Sequence, residues 1–552
     1  MQSEILANMV INKMFKENNA HLQQSFLTSL SYMNDAVNKK LINSWASVFY
    51  HIVFCGIKES IFSVLYCNDN GRPNFPVNIL LSLEYIKHMF NYSDAELVEQ
   101  FYFNYQISYA LGIKNVGEIN LAPGTLYEFR RRLYEYAAKN PEDGDLIFSQ
   151  FIELTKEFAK KSDIEVNEQR MDSTMISANI KNAGRLALAY DVLVQAIKML
   201  PEELVTEPLK EVMVEGYKNK LLYKCKTNQV ESRLDEILDK CIIVSEIAKN
   251  KREIEELQGI KILERFIREQ TEVDENTNER KVKENKDIKA SSLQSAYDPD
   301  STYRKKAKKT GKGYVVNIAE TCNENNDVQL ITDYEVKANI INDTEIAEER
   351  LPELKSNFDV TDLYVDGGYF SSTVEKVAES NEINMHYTDM TGKKPEDDSI
   401  HINEFEINED NTVDKCPAGN TPLSTSYNPE NNAITAHFSK EACANCEFRN
   451  QCCINEQVKS NKFSTTLESI AIQNKRDEIE NDRQENNSKR TAIEGTNSEL
   501  KRAHNLNTVM VLGIVKVSIT TGLKITACNI KRFAKNAIQK ITKNRLRRLV
   551  KG

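Results

Sequence analysis

The spacing of apolar residues predicts that the first part of the chain is mostly helical. Apolar side chains recur three or four residues apart over residues 22–155, which places them on one face of a helix. Such series are Phe26, Leu27, Leu30 and Met33, and then Ile79, Leu80, Leu83, Ile86 and Met89. Pro76 suits the opening turn of the second helix. We therefore expect an α-helical N-terminal domain.

Short strands begin to alternate with helices near residue 160. Runs of apolar or alternating residues predict strands at Ile164–Met171, Gly313–Thr321, Val328–Thr332 and Leu363–Val365. The turn-rich residues 323–326 between the second and third of these strands indicate a hairpin. Strands that alternate with helices imply an α/β core, a mixed sheet flanked by helices, because the crossover helices cover the faces of such a sheet.

Two segments interrupt this core. Residues 185–291 carry helical stripes, whereas residues 405–465 are polar, rich in turns and contain cysteines. The chain returns to a helix around Asp482–Ala503, and from Lys531 to Gly552 it has nine Lys or Arg residues and no acid. The predicted organisation is a helical N-terminal domain (1–155), a core (160–184, 292–400 and 475–535), a helical insertion (185–291), a cysteine-rich insertion (405–465) and a basic C-terminal tail (536–552).

Composition narrows the classes of function. The 552 residues include 72 basic and 82 acidic side chains, so the net charge is −10 and any argument for nucleic acid must rest on local patches. No apolar run reaches the 18–20 residues of a membrane span, and the first residues lack a secretion signal. Eleven cysteines are too few for a disulfide scaffold of this size. We expect a cytoplasmic protein without a membrane partner.

Three acids are candidates for metal binding. Asp172 and Asp366 each follow a predicted strand, where sheets of this class usually build their sites. Arg490, Glu494 and Lys501 have helical offsets of 0, 4 and 11, so they share one face of a helix. Carboxylates that converge from separate elements suit Mg²⁺, and the two cations suit phosphates. The alternative for the helix is a surface ladder of ion pairs.

A cysteine cluster is a candidate zinc site. Cys416 is followed by Cys443 and Cys446, which form a Cys-x₂-Cys pair, and then by Cys452 and Cys453. Four thiols are the number that a structural Zn²⁺ requires, with Cys452 or Cys453 as the fourth ligand. The alternative is a set of unpaired buried or redox-active cysteines.

Basic clusters are candidate contacts to DNA. Arg130, Arg131 and Arg132 form a triplet on a predicted helix, and Arg304–Lys309 is a second basic run. Either cluster is equally well explained as a solvated face. The chain has no phosphate-binding G-x-x-x-x-G-K-[ST] loop, which argues against nucleotide hydrolysis, and no H-E-x-x-H metal helix.

The order of several motifs carries a resemblance over nearly the whole length. These motifs are Asn74–Asn78, Leu126–Leu133, Met171–Thr174, Tyr297–Tyr303, Tyr364–Tyr369, Cys416–Gly419, Arg490–Lys501 and Asn529–Arg532. In this order they resemble the bacterial DDE transposases of insertion sequences, most closely the insertion sequence 1182 family. Related transposases often carry Tyr at the position of Asn487, so the resemblance does not extend to an aromatic side chain there.

The resemblance implies a fold and a site. The core would be similar to ribonuclease H, with Asp172, Asp366 and Glu494 as the three acids that bind Mg²⁺ or Mn²⁺, and with Arg490 and Lys501 as the basic positions beside the third acid. The implied function is a DNA transposase that binds the terminal inverted repeats of double-stranded DNA, cleaves strands and transfers them by a two-metal mechanism. Bringing two ends together implies at least a homodimer.

Two rival functions remain at this point. One is a catalytically inactive, DNA-binding relative of a transposase, in which the acids no longer act. The other is a nuclease on the same fold, which would cut RNA hybrids or particular DNA structures and ignore element ends.

Overall fold

The computed structural model describes residues 15–23, 28–67, 73–181, 183–273, 280–306, 309–390 and 399–551. Phe26 and Leu27 of the first predicted helical series lie outside these residues, as does part of the basic run Arg304–Lys309.

The N-terminal region is helical, as the apolar spacing predicts. Its helices pack around one apolar cluster that includes Phe49, Leu81 and Phe129. Pro76 stands immediately before the helix that it was expected to open. The helices are α1 (Asp35–Ile42), α2 (Trp45–Val48), α3 (Val77–Phe90), α4 (Asp94–Phe103), α5 (Tyr105–Ala110), α6 (Pro123–Lys139) and α7 (Leu146–Ser162).

A mixed sheet forms the centre of the molecule. Its strands are β1 (Glu168–Ala178), β4 (Thr302–Lys306), β5 (Lys309–Thr321), β6 (Ile331–Ala338), β7 (Asp362–Val365), β8 (Asn384–Tyr387) and β15 (Thr508–Val509). The pairings run β6-β5-β1-β7-β8, antiparallel as far as β1 and parallel from β1 to β8. Strands β5 and β6 are the predicted hairpin. Helices α14 (Asp343–Phe358) and α15 (Ser372–Ser380) connect the strands that follow.

The register of the sheet brings two acids together. Arg170 of β1 is opposite Tyr364 of β7, and the same register continued by two residues places Asp172 opposite Asp366. Neighbouring strands are about 4.8 Å apart, and residues two apart point to the same face. The prediction that the first strand ends at Asp172 is wrong: β1 runs on to Ala178, because the long strand β5 pairs with it throughout.

The helical insertion has an apolar cluster of its own, which extends from Leu186 to Ala296. It also contains a short hairpin, β2 (Thr271–Val273) and β3 (Arg280–Val282), that the sequence pattern did not predict. The helices are α8 (Arg185–Ile197), α9 (Glu207–Met213), α10 (Tyr217–Leu222), α11 (Val230–Lys249), α12 (Arg252–Glu255) and α13 (Gln258–Gln270).

The cysteine-rich segment folds around a small apolar core. Phe405 and Phe463 stack there with ring centroids 3.9 Å apart. Its strands and helix are β9 (Glu406–Ile407), β10 (Val413–Lys415), β11 (Ser424–Asn428), β12 (Ala433–Phe438), α16 (Lys440–Ala444), β13 (Asn455–Glu456) and β14 (Asn461–Thr466). Although the segment is polar and rich in turns, it therefore has an apolar core of its own.

Three helices complete the chain: α17 (Leu467–Thr491), α18 (Ile493–Ala503) and α19 (Ile514–Lys551). The single helix predicted around Asp482–Ala503 is two helices that meet at Ala492. Helix α19 runs back to the N-terminal region, where Phe533 stacks on Phe158 of α7 at 4.5 Å. Within the described residues, no single helix is long and apolar enough to cross a membrane, although one pair bent by 65°, Trp45–Phe54 with Glu59–Leu65, meets that test jointly.

Candidate active site

Three carboxylates from distant parts of the chain converge on one guanidinium. Arg490 donates hydrogen bonds from Nη2 to Asp172 Oδ1 at 3.1 Å and to Asp366 Oδ2 at 3.3 Å, and from Nη1 to Glu494 Oε1 at 3.1 Å. Because the two aspartate oxygens bind the same nitrogen, they can be no farther apart than the sum of their two distances. The arrangement is a pocket for positive charge, lined by hard oxygen donors.

Asp172 is the most buried of the three acids. Burial removes water from its carboxyl and, with the neighbouring charge of Asp366, raises its pKa to about 6, although Arg490 opposes the shift. Its second oxygen, Oδ2, accepts a hydrogen bond from Asn497 Nδ2 at 2.9 Å. Asn497 lies on α18, the helix that carries Glu494, so this bond ties that helix to strand β1. Sequence analysis did not single out Asn497.

Asp366 stands at the end of β7 and begins a tight turn. Its Oδ1 accepts a hydrogen bond from the backbone N–H of Gly368 at 2.8 Å, which fixes the carboxyl and leaves Oδ2 facing Arg490. A Cβ at Gly367 would lie 2.1 Å from the backbone oxygen of Asp389, so only glycine fits there. The first of the two glycines after the acid therefore has a structural cause.

Glu494 is the exposed member of the set, with 61% of its side chain accessible. It lies at the start of α18, just after the junction at Ala492, whereas Arg490 belongs to the end of α17. The expected four-residue contact between Arg490 and Glu494 survives this break, since the backbone at Ala492 keeps helical dihedral angles.

A buried hub holds α18 against the sheet. Glu320 of β5 is fully buried and pairs with Arg170 of β1 and with Arg532 of α19. It also accepts a hydrogen bond from Thr496 of α18 at 2.7 Å. Since two of the partners come from the site-bearing strand and helix, Glu320 fixes where Asp172 and Glu494 stand relative to each other.

Buried hydrogen bonds also give a structural role to two other residues of the sequence motifs, Tyr369 and Asn529. Tyr369, the last residue of the motif after Asp366, is buried, and its hydroxyl lies 2.7 Å from Asn317 Nδ2 and 3.0 Å from Ser173 Oγ. Asn529 of α19 exchanges two hydrogen bonds with the backbone of Ile331 in β6. The motif that contains Asn529 gave no sign of this contact, because its partner Ile331 is 198 residues away.

The three arginines of the basic triplet form ion pairs within the N-terminal region. Arg130 is nearly buried and binds Asp94 through two nitrogens and Glu84 through a third. Arg131 and Arg132 both pair with Glu128 on the same helix. Their contact with DNA phosphates stays a prediction. For Arg130 to contact a DNA phosphate, its guanidinium would have to bind that phosphate while it remains paired with Asp94 and Glu84.

The four predicted zinc ligands lie around the core of the cysteine-rich segment, where Cys416, Cys443 and Cys452 pack against apolar side chains. A hydrogen bond from the Cys453 thiol lowers the pKa of the Cys452 thiol. Within the described residues, the group of potential ligand atoms found within 4.8 Å of one another is Glu499, His504 and Cys528. The thiols of Cys416, Cys443, Cys446 and Cys452 do not form such a group, and zinc binding stays a prediction.

Comparison with known families adds a second line of evidence. Residues 415–534 match a family described as a transposase DDE domain, and residues 39–132 match one described as a transposase domain (DUF772). The first match includes Arg490, Glu494 and Lys501, and Asp172 and Asp366 lie outside both. No curated protein and no solved structure matches the chain significantly.

These matches have consequences for fold and chemistry. A DDE domain implies a ribonuclease H-like fold, and the chain has a mixed sheet and a helical N-terminal region. Transposases of this type act on DNA and generally use divalent metals such as Mg²⁺. Together, the two matches support an insertion-sequence transposase.

Proposed function

We propose that this chain is a DNA transposase, most like the insertion sequence 1182 family, that binds the terminal inverted repeats of its element and catalyses strand cleavage and strand transfer. The convergence of Asp172, Asp366 and Glu494 on Arg490 is the observation that carries the proposal. Three neighbouring carboxylates repel one another and need a compensating cation, which is the Arg490 guanidinium here and would be a metal in the active complex.

The donor set fits a hard divalent cation. Asp172, Asp366 and Glu494 would hold Mg²⁺ or Mn²⁺, since all of their ligand atoms are carboxylate oxygens. When bound, the metal would supply the positive charge that activates the attacking oxygen and stabilises the leaving oxygen of a phosphodiester. The Arg490 guanidinium now contacts two of the carboxylates that would hold such a metal.

The chain's own side chains would position the DNA. In the reaction, water attacks the scissile phosphorus and the bond to the 3′ oxygen breaks, so that the strand leaves as a 3′-hydroxyl. That hydroxyl then attacks a phosphorus of the target DNA, where the bond to the target's own 3′ oxygen breaks and leaves a new 3′-hydroxyl. Arg490 and Lys501 would contact phosphates from the α17–α18 edge of the site. Asn497 would keep Asp172 oriented through its hydrogen bond.

The remaining assignments belong to the same proposal. The helical N-terminal domain, with Arg130, Arg131 and Arg132, would recognise element ends, and two protomers would bring two ends together. Cys416, Cys443, Cys446 and Cys452 or Cys453 would hold a structural Zn²⁺ after side-chain rearrangement, because four thiols of one small segment are available. The domain boundaries predicted above are part of this proposal.

The decisive experiment compares two Asp→Asn variants, one directly after β7 and one just before it. Asp366→Asn should abolish Mg²⁺-dependent nicking of a supercoiled plasmid that carries the element's own ends, while leaving end binding largely intact. Asp359→Asn is the matched control: Asp359 is exposed and has a positive φ of 49°, a conformation that Asn readily adopts. The control should cleave like the unaltered chain.

Three other outcomes count against the proposal. Full activity of Asp366→Asn would refute the assignment of the acids. Tight binding of element ends by the unaltered chain without any nicking would favour an inactive relative of a transposase. Cleavage of RNA–DNA hybrids, with element ends ignored, would favour a nuclease on the same fold.

A further inference from the structure

A cavity of about 920 Å³ lies between the N-terminal helices and the core, outside the carboxylate site. One wall comes from α3, α4 and α6, and the other comes from the end of α18, strand β15 and the first turns of α19. Its volume is that of a ligand pocket, about 300–1,000 Å³, which admits a few nucleotides of one strand and not a duplex.

The walls of this cavity carry an excess of positive charge, although the whole chain is acidic. Six cations face three acids there: Lys87, Arg130, Arg131, Lys501, Lys516 and Lys524 against Glu84, Asp94 and Glu135. All three acids are already neutralised by ion pairs with Arg130, Arg131 or Lys87. The charge that remains for a ligand is therefore positive.

Two of the lysines have no carboxylate partner among the described residues. Lys516 is exposed, and its ammonium lies over the ring of Tyr134 at 5.8 Å. Lys524 is 7% exposed, and its ammonium donates one hydrogen bond, to the backbone oxygen of His504 at 2.7 Å. Burial lowers the pKa of Lys524 to about 8. A buried ammonium that lines a cavity, and that has N–H donors left over after one hydrogen bond, can bind an anion there.

Aromatic rings and a methionine side chain line the same cavity. Tyr127 is 52% exposed and Met510 is 75% exposed, and Tyr92 stacks on Phe90 at 5.6 Å. Aromatic rings beside lysines are the combination that binds single-stranded nucleic acid, because phosphates meet the cations while bases stack on the rings.

One helix, α18, carries residues of both the cavity and the proposed active site. Lys501 lines the cavity and lies seven residues after Glu494 on α18, on the same helical face. Seven residues rise about 10 Å along a helix. With bases stacked as in a duplex, a strand advances about 3.4 Å per base, so up to about three nucleotides span this distance.

We propose that this cavity binds a short unpaired stretch of the DNA strand on which the carboxylate site acts, with phosphates on Lys516 and Lys524 and a base on Tyr127. This inference rests on the proposed function for the identity of the nucleic acid. It adds that the DNA next to the scissile bond is held unpaired, in a cleft between the helical region and the core.

The test is DNA binding in EDTA, where cleavage plays no part. The probe is a fluorescein-labelled duplex with a single-stranded tail of about ten nucleotides, a typical site size, and a blunt duplex is the comparison. The variants Lys516→Ala and Tyr127→Ala change exposed side chains of the full chain. Matched controls are Lys198→Ala and Tyr223→Ala, which alter exposed side chains of the helical insertion.

Lys516→Ala should lower the slope of log affinity against log salt for the tailed probe by about 0.7, one single-strand phosphate contact. Tyr127→Ala should weaken tailed-probe binding about five-fold to a hundred-fold, the loss of one stacked base. Both should leave the blunt duplex nearly unaffected, and the controls should change neither probe. Lys524→Met, an uncharged side chain of similar length, should act like Lys516→Ala.

Equal losses on both probes would overturn the assignment to an unpaired strand, and unchanged binding by Lys516→Ala and Tyr127→Ala would overturn the cavity as a DNA site. These failures differ from failure of the catalytic proposal. A chain that nicks its plasmid while the cavity variants bind normally defeats only this inference. A chain that binds tailed DNA through the cavity but never nicks defeats only the catalytic proposal.

Discussion

Arg490 occupies the space among three carboxylates, and we predict that it competes with metal for them. Replacing it by Gln removes the positive charge while keeping a polar side chain of similar length. The unliganded protein then has three carboxylates that no cation neutralises. We therefore expect Arg490→Gln to bind Mg²⁺ more tightly than the unaltered chain, even though loss of its phosphate contact lowers DNA cleavage.

The expected gain in Mg²⁺ affinity can be worked out from the solvent exposure of the four side chains. Arg490 and Asp172 are only 15% and 14% exposed, whereas Asp366 and Glu494 are 37% and 61% exposed. A buried ion pair that loses one partner costs about 3–5 kcal/mol, and an exposed one contributes at most about 1 kcal/mol. One desolvated contact, at the lower end of that range, and two solvent-exposed contacts that contribute little suggest about 3 kcal/mol, which is roughly 150-fold in Mg²⁺ affinity.

Isothermal titration with Mg²⁺ or Mn²⁺ in the absence of DNA measures this affinity directly. Arg483→Gln is the matched control, because Arg483 lies two turns earlier on α17, is 42% exposed and pairs only loosely with Glu480 and Asp389. It should bind metal like the unaltered chain. Equal or weaker metal binding by Arg490→Gln would mean that the guanidinium and the metal do not share these oxygens.

Two further predictions concern the surroundings of the site. Since Asp172 has a pKa of about 6, protons compete with metal below that pH, and Mg²⁺ affinity measured by calorimetry should fall as the pH drops through 6. The variant Asn497→Ala lacks one hydrogen-bond donor to the ionised carboxylate, so its Mg²⁺ affinity should begin to fall at a higher pH. An unshifted pH profile in this variant would contradict the role of Asn497. Glu320→Gln leaves the nearly buried Arg170 without a carboxylate partner and should lower stability by about 3–5 kcal/mol, seen as a reduced Tm. The exposed Glu324→Gln should leave the Tm unchanged.

The local pattern of apolar and polar residues was sufficient to predict much of the fold. The 3.6-residue spacing predicts the N-terminal helices, and the hairpin of β5 and β6 follows from two apolar runs around a polar turn. The end of β1 could not be read in this way, because Asp172 is a polar residue inside a strand and only the length of its partner β5 decides where the pairing stops. The junction at Ala492 was equally invisible, since its backbone remains helical.

The site itself depends on contacts between residues far apart in sequence. Asp172 and Asp366 could be selected as candidates because of their place after apolar runs, but only the β1–β7 register explains why they are neighbours. Asn497 and Glu320 gave no signal, because an isolated Asn or Glu on a helix or strand is usually a surface residue. Arg130 illustrates the converse: a basic triplet looks available for phosphate, yet its first member is held by Asp94 and Glu84.

The great separation of the converging residues sets an order of events during synthesis. Arg490 follows Asp172 by 318 positions, which a ribosome needs about 15–60 s to translate. Until α17 and α18 emerge, the sheet can form with its two aspartates adjacent but with neither their countercharge nor the third acid. A nascent or prematurely terminated polypeptide therefore lacks the assembled carboxylate site, and under the proposed function it would be unable to cleave DNA near the ribosome.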